Sequence, residues 1–395
     1  MKKTAHILAL LLACALLAAP ARAASAQDPA APEVAAPSAV LIERQTGTVL
    51  YAKGETERRP PASVTKVMTL LLVAEAVDAG DIALDDMVTA SERAASMGGS
   101  QIWLEQGEQL SVSDMIKCVA VVSANDCAVA LAEHLCGSEA AFVERMNERA
   151  AELGLENTQF TNCTGLFDDT AHYTCALDIA SMSRELLSHE WIKDYTTIWM
   201  DSVRDGASEL TNTNKLVRFY DGCTGLKTGY TMAAGRTLVT CAERDGARYV
   251  CVTLNDPDDW DDHRALYDWA FANYSFTEVI PAGLSYDVPV ISGEAYTADA
   301  ATEGAAYALI RKGESYTTRL ELPSFVFAPV AEGENAGRAV ACMGEREIAS
   351  VRMVYSEDIP VSDGLLLSPG ERFLRFWLLS GCGSPFYLEE GRVAT

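Results

Sequence analysis

The chain has 395 residues and a formal net charge of −25. So acidic a protein has no field to hold a polyphosphate backbone, which excludes nucleic acid as its main partner. At 49% apolar and 22% charged residues it has the material for packed cores, and its length suggests two domains after any targeting segment.

The N-terminus reads as a signal peptide over residues 1–26. Lys2 and Lys3 form a basic start, Ile7 to Leu17 is apolar, and Ala21-Arg22-Ala23 and Ala24-Ser25-Ala26 both suit signal peptidase, with cleavage placed near Ala26. The apolar run is short for a membrane span. Removing Lys2, Lys3 and Arg22 takes the charge from −25 to −28. Residues 27–36, rich in Ala and Pro, read as a flexible linker.

Ala39 to Ile42 and Thr48 to Tyr51 predict a hairpin turning at Gln45 to Gly47. Pro60 and Pro61 then stop the extended chain and can open a helix. Ser63 and Lys66 follow three residues apart, on one face of its first turn. Val67 to Ala74 is apolar almost all round, the pattern of a helix buried on every side. A lysine denied full solvation loses proton affinity and can activate a neighbouring hydroxyl, so the pair fits a serine nucleophile with its base. By itself, Ser-x-x-Lys is far more often an ordinary solvated helix start.

Residues 77–110 are mixed and loop-rich. Ser111 or Ser113 caps a helix that runs through Val122 into Ser123-Ala124-Asn125, and another helix begins by Cys127. Ser123 and Asn125 therefore stand at a break between helices, where a plain capping role is the bland alternative. Phe142 to Leu153 and Asp178 to His189 predict two more helices around a loop over 155–175. Leu226 to Thr231, Arg236 to Cys241 and Arg248 to Leu254 predict an antiparallel sheet with a turn at Asp245-Gly246, closed by a helix over His263 to Asn273. Past Phe276 short strands separated by glycine-rich turns predict a small β-rich domain over 277–366. In the tail, 367–395, Arg372 and Arg375 oppose Phe373, Leu374, Phe376 and Trp377, an amphipathic helix suited to a membrane interface or to docking on the protein's own core.

The cysteines and histidines add little. Ten of eleven cysteines remain after the signal segment, dispersed through apolar stretches, and Cys118, Cys127 and Cys136 look like small core residues. Whether Cys241 and Cys251 face each other depends on a strand register the sequence does not fix. The five histidines lack metal-ligand spacing.

Ser63-x-x-Lys66, Ser123-x-Asn125 and Lys227-Thr228-Gly229 each occur once, in that order, 60 and then 104 residues apart. The trio resembles the signature of penicillin-binding proteins and serine β-lactamases. The longer matches, Ala62 to Thr69, Val121 to Ala132 and Gly225 to Thr231 with Ala234-Gly235-Arg236, resemble the D-alanyl-D-alanine carboxypeptidases, the low-molecular-mass penicillin-binding proteins. That resemblance spans about residues 37–276. It implies an α+β fold: a β-lactamase/transpeptidase-like helical region packed on an antiparallel sheet, followed by the β-rich domain and the amphipathic tail.

The resemblance also implies a mechanism. Ser63 would attack the penultimate D-Ala carbonyl of a peptidoglycan stem peptide, with Lys66 as general base and Ser123 passing a proton to the leaving amine. The N–H groups of Ser63 and Tyr230 would form the oxyanion hole. Asn125, Lys227, Thr228, Gly229, Tyr230 and Arg236 would bind substrate. β-Lactams would acylate Ser63, and no metal or cofactor is called for. The enzyme would be exported and held peripherally at the outer face of the cytoplasmic membrane. Two departures bear on substrate preference: Ala124 stands where many relatives carry Gly or Asp, and Tyr173 to Asp178 lacks an arginine common before the Asp.

A class A β-lactamase shares the trio but needs a deacylating Glu in a Glu-x-x-Leu-Asn context. The nearest stretch, Glu152 to Asn157, has Glu156 where Asn belongs. A non-catalytic penicillin-binding sensor or cell-wall-binding module would tolerate loss of Ser63, Lys66 or Lys227, and all three are present.

Overall fold

The computed structural model describes residues 30–166 and 170–362, Gly370, and the backbone of Phe386–Arg392. The signal-peptide segment and the amphipathic stretch from Arg372 to Leu379 lie outside the described residues.

A five-stranded sheet forms the frame of the first part. Its strands are β1 (Ser38–Glu43), β2 (Val49–Lys53), β7 (Cys223–Thr231), β8 (Gly235–Arg244) and β9 (Ala247–Leu254), in the order β2-β1-β9-β8-β7 and antiparallel throughout. Between its two halves run two short antiparallel strand pairs, β3 (Met87–Thr89) with β4 (Gln109–Ser111) and β5 (Met200–Val203) with β6 (Ser208–Thr211). The main helices are α1 (Lys66–Ala79), α2 (Val112–Val122), α3 (Asn125–Cys136), α4 (Glu139–Glu152), α5 (Ala176–Ser188) and α6 (Asp259–Asn273).

The central strands are buried on both faces, and period-two alternation divides their side chains between two cores. Val40, Ile42, Val239, Cys241, Val250 and Val252 pack with the helices from α1 to α5. Leu41, Leu238, Tyr249 and Cys251 pack on the other side with Leu266, Tyr267 and Ala270 of α6. The register settles the cysteine question: Cys241 pairs with Val250 and Thr240 with Cys251, so the two thiols point to opposite faces. Nine cysteines, from Cys118 to Cys342, are free thiols.

α1 carries the buried pattern its sequence predicts. Every residue from Lys66 to Ala74 is buried, as is Ala76. It ends at Gly80, whose positive φ closes the helix. Burying eight apolar side chains, Val67 to Ala74 apart from Thr69, plus Ala76, stabilises this helix by tertiary contact rather than by capping, and its N-cap Thr65 makes no side-chain cap bond.

Part of the predicted linker is seated rather than free. The N–H groups of Ala35 and Ala36 donate to Asp262 Oδ2 at 2.6 and 3.2 Å, Lys53 Nζ donates to the Val34 carbonyl, and Val34 and Ala36 are buried. Alanine and proline composition carried no trace of these partners, which lie on α6 and β2.

The β-rich part holds a β10 (Tyr274–Ile280) to β13 (Ala306–Arg311) pair and a seven-stranded sheet. That sheet comprises β11 (Ser285–Ile291), β12 (Thr297–Thr302), β14 (Ser315–Glu321), β15 (Val326–Phe327), β16 (Asn335–Met343), β17 (Arg346–Tyr355) and β18 (Phe386–Arg392), in the order β15-β11-β12-β17-β16-β14-β18. Its core includes Val288, Val290, Ala339, Ala341 and Tyr355. β18 comes from within the stretch read as tail and pairs antiparallel with β14. An edge strand is specified by its partner's open backbone groups, so a seven-residue segment next to an amphipathic stretch gave no independent signal.

Candidate active site

Ser63 sits in a single 3₁₀ turn, Ala62–Thr65, and Lys66 begins α1 directly after it. The turn places Lys66 Nζ 3.0 Å from Ser63 Oγ and 2.8 Å from the Thr164 carbonyl. Lys66 is fully buried, and burial lowers its pKa from the ordinary value of 10.5 to about 7. A lysine so placed is poised to exchange a proton with Ser63 near neutral pH.

The second motif arrives at the break between α2 and α3. Ser123 ends α2 with φ +64°, a left-handed conformation unusual for a non-glycine residue. Asn125 opens α3; its N–H donates to the Ser100 carbonyl at 2.7 Å and its Nδ2 to the Gly98 carbonyl at 2.7 Å. Ser123 Oγ and Asn125 Oδ1 are buried and have no hydrogen-bond partner among the described residues. A buried orphan oxygen costs about 1–3 kcal/mol, so two in one motif make it a candidate for ligand binding.

The third motif comes in on β7, the edge strand beside the Ser63 turn. At Gly229 an added Cβ would collide with Thr237 Oγ1 and lie 3.0 Å from Ser63 N and 3.1 Å from Pro61 O. Only glycine lets the strand come this close. Lys227 is buried, donates to the Thr228 carbonyl at 2.9 Å, and has its pKa pushed well down by burial and by the Lys66 ammonium. That effect of Lys66 on Lys227 puts the two lysines in one electrostatic site. Thr228 Oγ1 lies 2.7 Å from Thr213 Oγ1 at the surface, and Tyr230, the next residue after Gly229, is exposed.

Arg236, another predicted binding residue, has a protein partner of its own. It pairs with Tyr230 across β7 and β8, yet its guanidinium is held by Asp259, with Nε 3.1 Å from Oδ2 and Nη2 bonded to Oδ1, and lies over the Trp260 ring. Sequence proximity to the Lys-Thr-Gly strand suggests a substrate contact; in the structure the acidic start of α6 holds the side chain, which stays 42% exposed.

Several supporting residues escaped the sequence reading. The loop that receives Lys66 is shaped by Asn162, whose Oδ1 accepts Thr164 N at 3.1 Å and Gly165 N at 2.6 Å. Asn-x-Thr-Gly is a turn signal that could have found it. At Gly165 any Cβ would overlap the Ala62 carbonyl oxygen. His172 Nδ1 accepts Thr161 N at 3.0 Å, so its Nε2 bears the hydrogen and donates to Thr65 Oγ1 at 2.8 Å; Thr65 in turn donates to the Ala62 carbonyl at 2.8 Å. This chain braces the nucleophile turn from the side. Glu152, the stand-in for a β-lactamase deacylating Glu, is exposed and paired with Arg145 and Arg149.

A serine hydrogen-bonded to a buried lysine, a Ser-x-Asn break between helices and a Lys-Thr-Gly edge strand together carry the signature of the active-site serine acyl-transfer enzymes that penicillin attacks. The family Peptidase_S11, D-alanyl-D-alanine carboxypeptidase, matches residues 24–258. The chain is 39% identical over 332 residues to the D-alanyl-D-alanine carboxypeptidase DacF of Bacillus subtilis, covering 82% of this chain and 85% of that one. Its structure is similar to penicillin binding protein 5 from Haemophilus influenzae, with a TM-score of 0.72, 30% identity, and coverage of 84% and 99% of the two chains. It is also similar to Penicillin-Binding Protein D2 from Listeria monocytogenes in an ampicillin-bound form, with a TM-score of 0.56, 29% identity, and coverage of 61% and 100%. The chain therefore belongs to the D-alanyl-D-alanine carboxypeptidase family and is a serine-type penicillin-binding carboxypeptidase.

Proposed function

We propose that this carboxypeptidase works through a Ser63 acyl-enzyme, with each motif residue in a distinct role. Ser63 Oγ attacks the carbonyl of the penultimate D-Ala of a stem peptide while neutral Lys66 takes its proton. The oxyanion is met by the N–H groups of Ser63 and Tyr230, a pairing supported by the contact of Gly229 with the Ser63 turn. As the tetrahedral intermediate collapses, Ser123 Oγ hands a proton to the departing D-Ala amine and takes back the one that Lys66 accepted from Ser63, which leaves Lys66 neutral again. Asn125 Oδ1 accepts from the substrate amide, and Thr228 with Lys227 receives the terminal carboxylate. Water then releases the shortened peptide and restores Ser63. β-Lactams occupy the same site and leave a slowly hydrolysed ester on Ser63.

The observation that carries the reading is the 3.0 Å contact between a fully buried Lys66 and Ser63 Oγ. The test is D-Ala release from a diacetyl-L-Lys-D-Ala-D-Ala peptide. Wild type should release D-Ala and penicillin should block it; release that survives Ser63→Ala would overturn the assignment.

We further infer export by the N-terminal 26 residues, a catalytic domain over 37–276, a β-rich domain over 277–366, and peripheral attachment to the outer face of the cytoplasmic membrane through Arg372 to Leu379. The basic n-region and the opposed basic and aromatic faces of the tail support this. Among the described residues no helix is long and apolar enough to cross a membrane. The full chain should co-sediment with vesicles of phosphatidylglycerol and phosphatidylethanolamine, and Arg372→Glu with Arg375→Glu should abolish this. Unchanged sedimentation of the double variant would remove the tail from the account.

A further inference from the structure

The loop that carries Gly98 and Ser100 to Asn125 also carries a side chain with no part in the mechanism above. Trp103 is 75% exposed, and its φ is +61°. A bulky residue adopts this backbone only at a cost, and an indole left in water forgoes the largest apolar burial available to any side chain. Single exposed apolar residues are common. What sets Trp103 apart is the apparatus that keeps it there.

The N–H groups on either side, of Ile102 and Leu104, both donate to Asp126 Oδ2, at 3.0 and 3.1 Å. Asp126 is wholly buried and follows Asn125 in α3. The Ile102 carbonyl accepts Arg204 Nη1 at 2.8 Å, and the Trp103 carbonyl accepts Arg204 Nη2 at 3.4 Å. Arg204 is itself pinned by Glu108, with Nε 2.7 Å from Oε1. A buried carboxylate and a clamped guanidinium thus fix the backbone on both sides of one exposed indole. The same loop bonds the Asn125 N–H and Nδ2. The backbone that bears the indole is therefore fixed, three residues from the Ser100 carbonyl that holds the Asn125 N–H.

Its position indicates what it meets. In the mechanism proposed above, on which this inference rests, the D-Ala that leaves lies toward Thr228 and the acyl donor passes Asn125. A group beyond Asn125 belongs to the residue before D-Ala-D-Ala. Tryptophan is the best aromatic partner for an ammonium. Two residues on, Glu105 is exposed and has no ion-pair partner among the described residues, in a chain of net charge −25. We propose that Trp103 is a specificity-determining residue whose indole packs against the methylene chain and terminal ammonium of a basic residue preceding D-Ala-D-Ala.

The test compares three peptides: Nα-acetyl-L-Lys-D-Ala-D-Ala, its Nε-acetylated form, and acetyl-L-Ala-D-Ala-D-Ala. D-Ala release is measured with wild type, Trp103→Phe and Trp103→Ala, and thermal unfolding checks that the fold is kept. Trp103→Ala should lower kcat/KM about tenfold on the peptide with the free ammonium and less than about twofold on the alanyl peptide. Trp103→Phe should restore most of the loss. An equal loss on all three peptides would make Trp103 a structural residue, an equal loss on the two lysyl peptides would remove the ammonium from the proposal, and no loss would remove the indole contact. If wild type releases D-Ala from none of them, the carboxypeptidase mechanism itself fails, and the indole contact with it.

Discussion

In the proposed mechanism Lys66 must be neutral for Ser63 to lose its proton, and burial lowers its pKa to about 7. With a pKa of 10.5 a lysine is neutral in about one molecule in 3000 at pH 7; with the value of about 7 set by burial, half the molecules are competent. Acylation by a fluorescent penicillin, followed below saturation between pH 5 and 9, should rise about tenfold per pH unit below 7 and level off above it. The same shift is written into stability. The unfolded lysine holds its proton up to pH 10.5, whereas the folded one releases it near 7. Between those values the unfolded state binds more protons, so stability rises with pH. At 1.36 kcal/mol per pH unit, burying Lys66 costs about 5 kcal/mol at pH 6 and about 2 kcal/mol at pH 9. Lys66→Met removes this dependence along with acylation. Urea unfolding of the two proteins should therefore show wild type gaining about 3 kcal/mol on the variant between pH 6 and 9. A flat acylation profile through pH 8.5, or a stability difference independent of pH, would refute the neutral-lysine argument.

Gly229→Ala should cut the rate of penicillin acylation by at least about a hundredfold, since its Cβ must push β7 away from Ser63 N and the oxyanion site; near-normal labelling would show that the close approach is dispensable. The nine free thiols predict that a reductant leaves the thermal midpoint of the described fold unchanged, because loss of a disulfide worth about 2–4 kcal/mol would lower it by several degrees. Gly165→Ala should destabilise the protein by about 1–3 kcal/mol through its clash with the Ala62 carbonyl and its positive φ, read by urea unfolding, and a neutral effect would show that the Thr164 loop is free to move.

The parts legible in the sequence are those governed by local rules. Ser63 and Lys66 lie one helical turn apart, the apolar run after them announces burial, and the strands β8 and β9 alternate cleanly on either side of a turn. Single-copy motifs in a fixed order then named Ser123, Asn125 and Lys227 as candidate partners of Ser63 without any knowledge of the path between them. Contacts of long sequence separation were out of reach. The Thr164 carbonyl on Lys66 is 98 residues away and is a backbone atom that any residue could supply. His172, which braces Thr65 across 107 residues, was read only against metal-ligand spacing. The Asp259 carboxylate that holds Arg236 lies 23 residues away, on a helix the strand pattern does not announce. Trp103 gave no signal at all, because its meaning lies in a positive φ and in the Asp126 carboxylate that holds it.

The central claim is that Ser63 carries the acyl group. The most direct measurement is mass spectrometry of the full chain after brief exposure to benzylpenicillin, followed by proteolysis and fragmentation to place the adduct. A single penicilloyl group on Ser63, absent from Ser63→Ala and slow to form in Lys66→Met, is the result expected. An adduct on another serine, or intact protein without an adduct, would contradict the account.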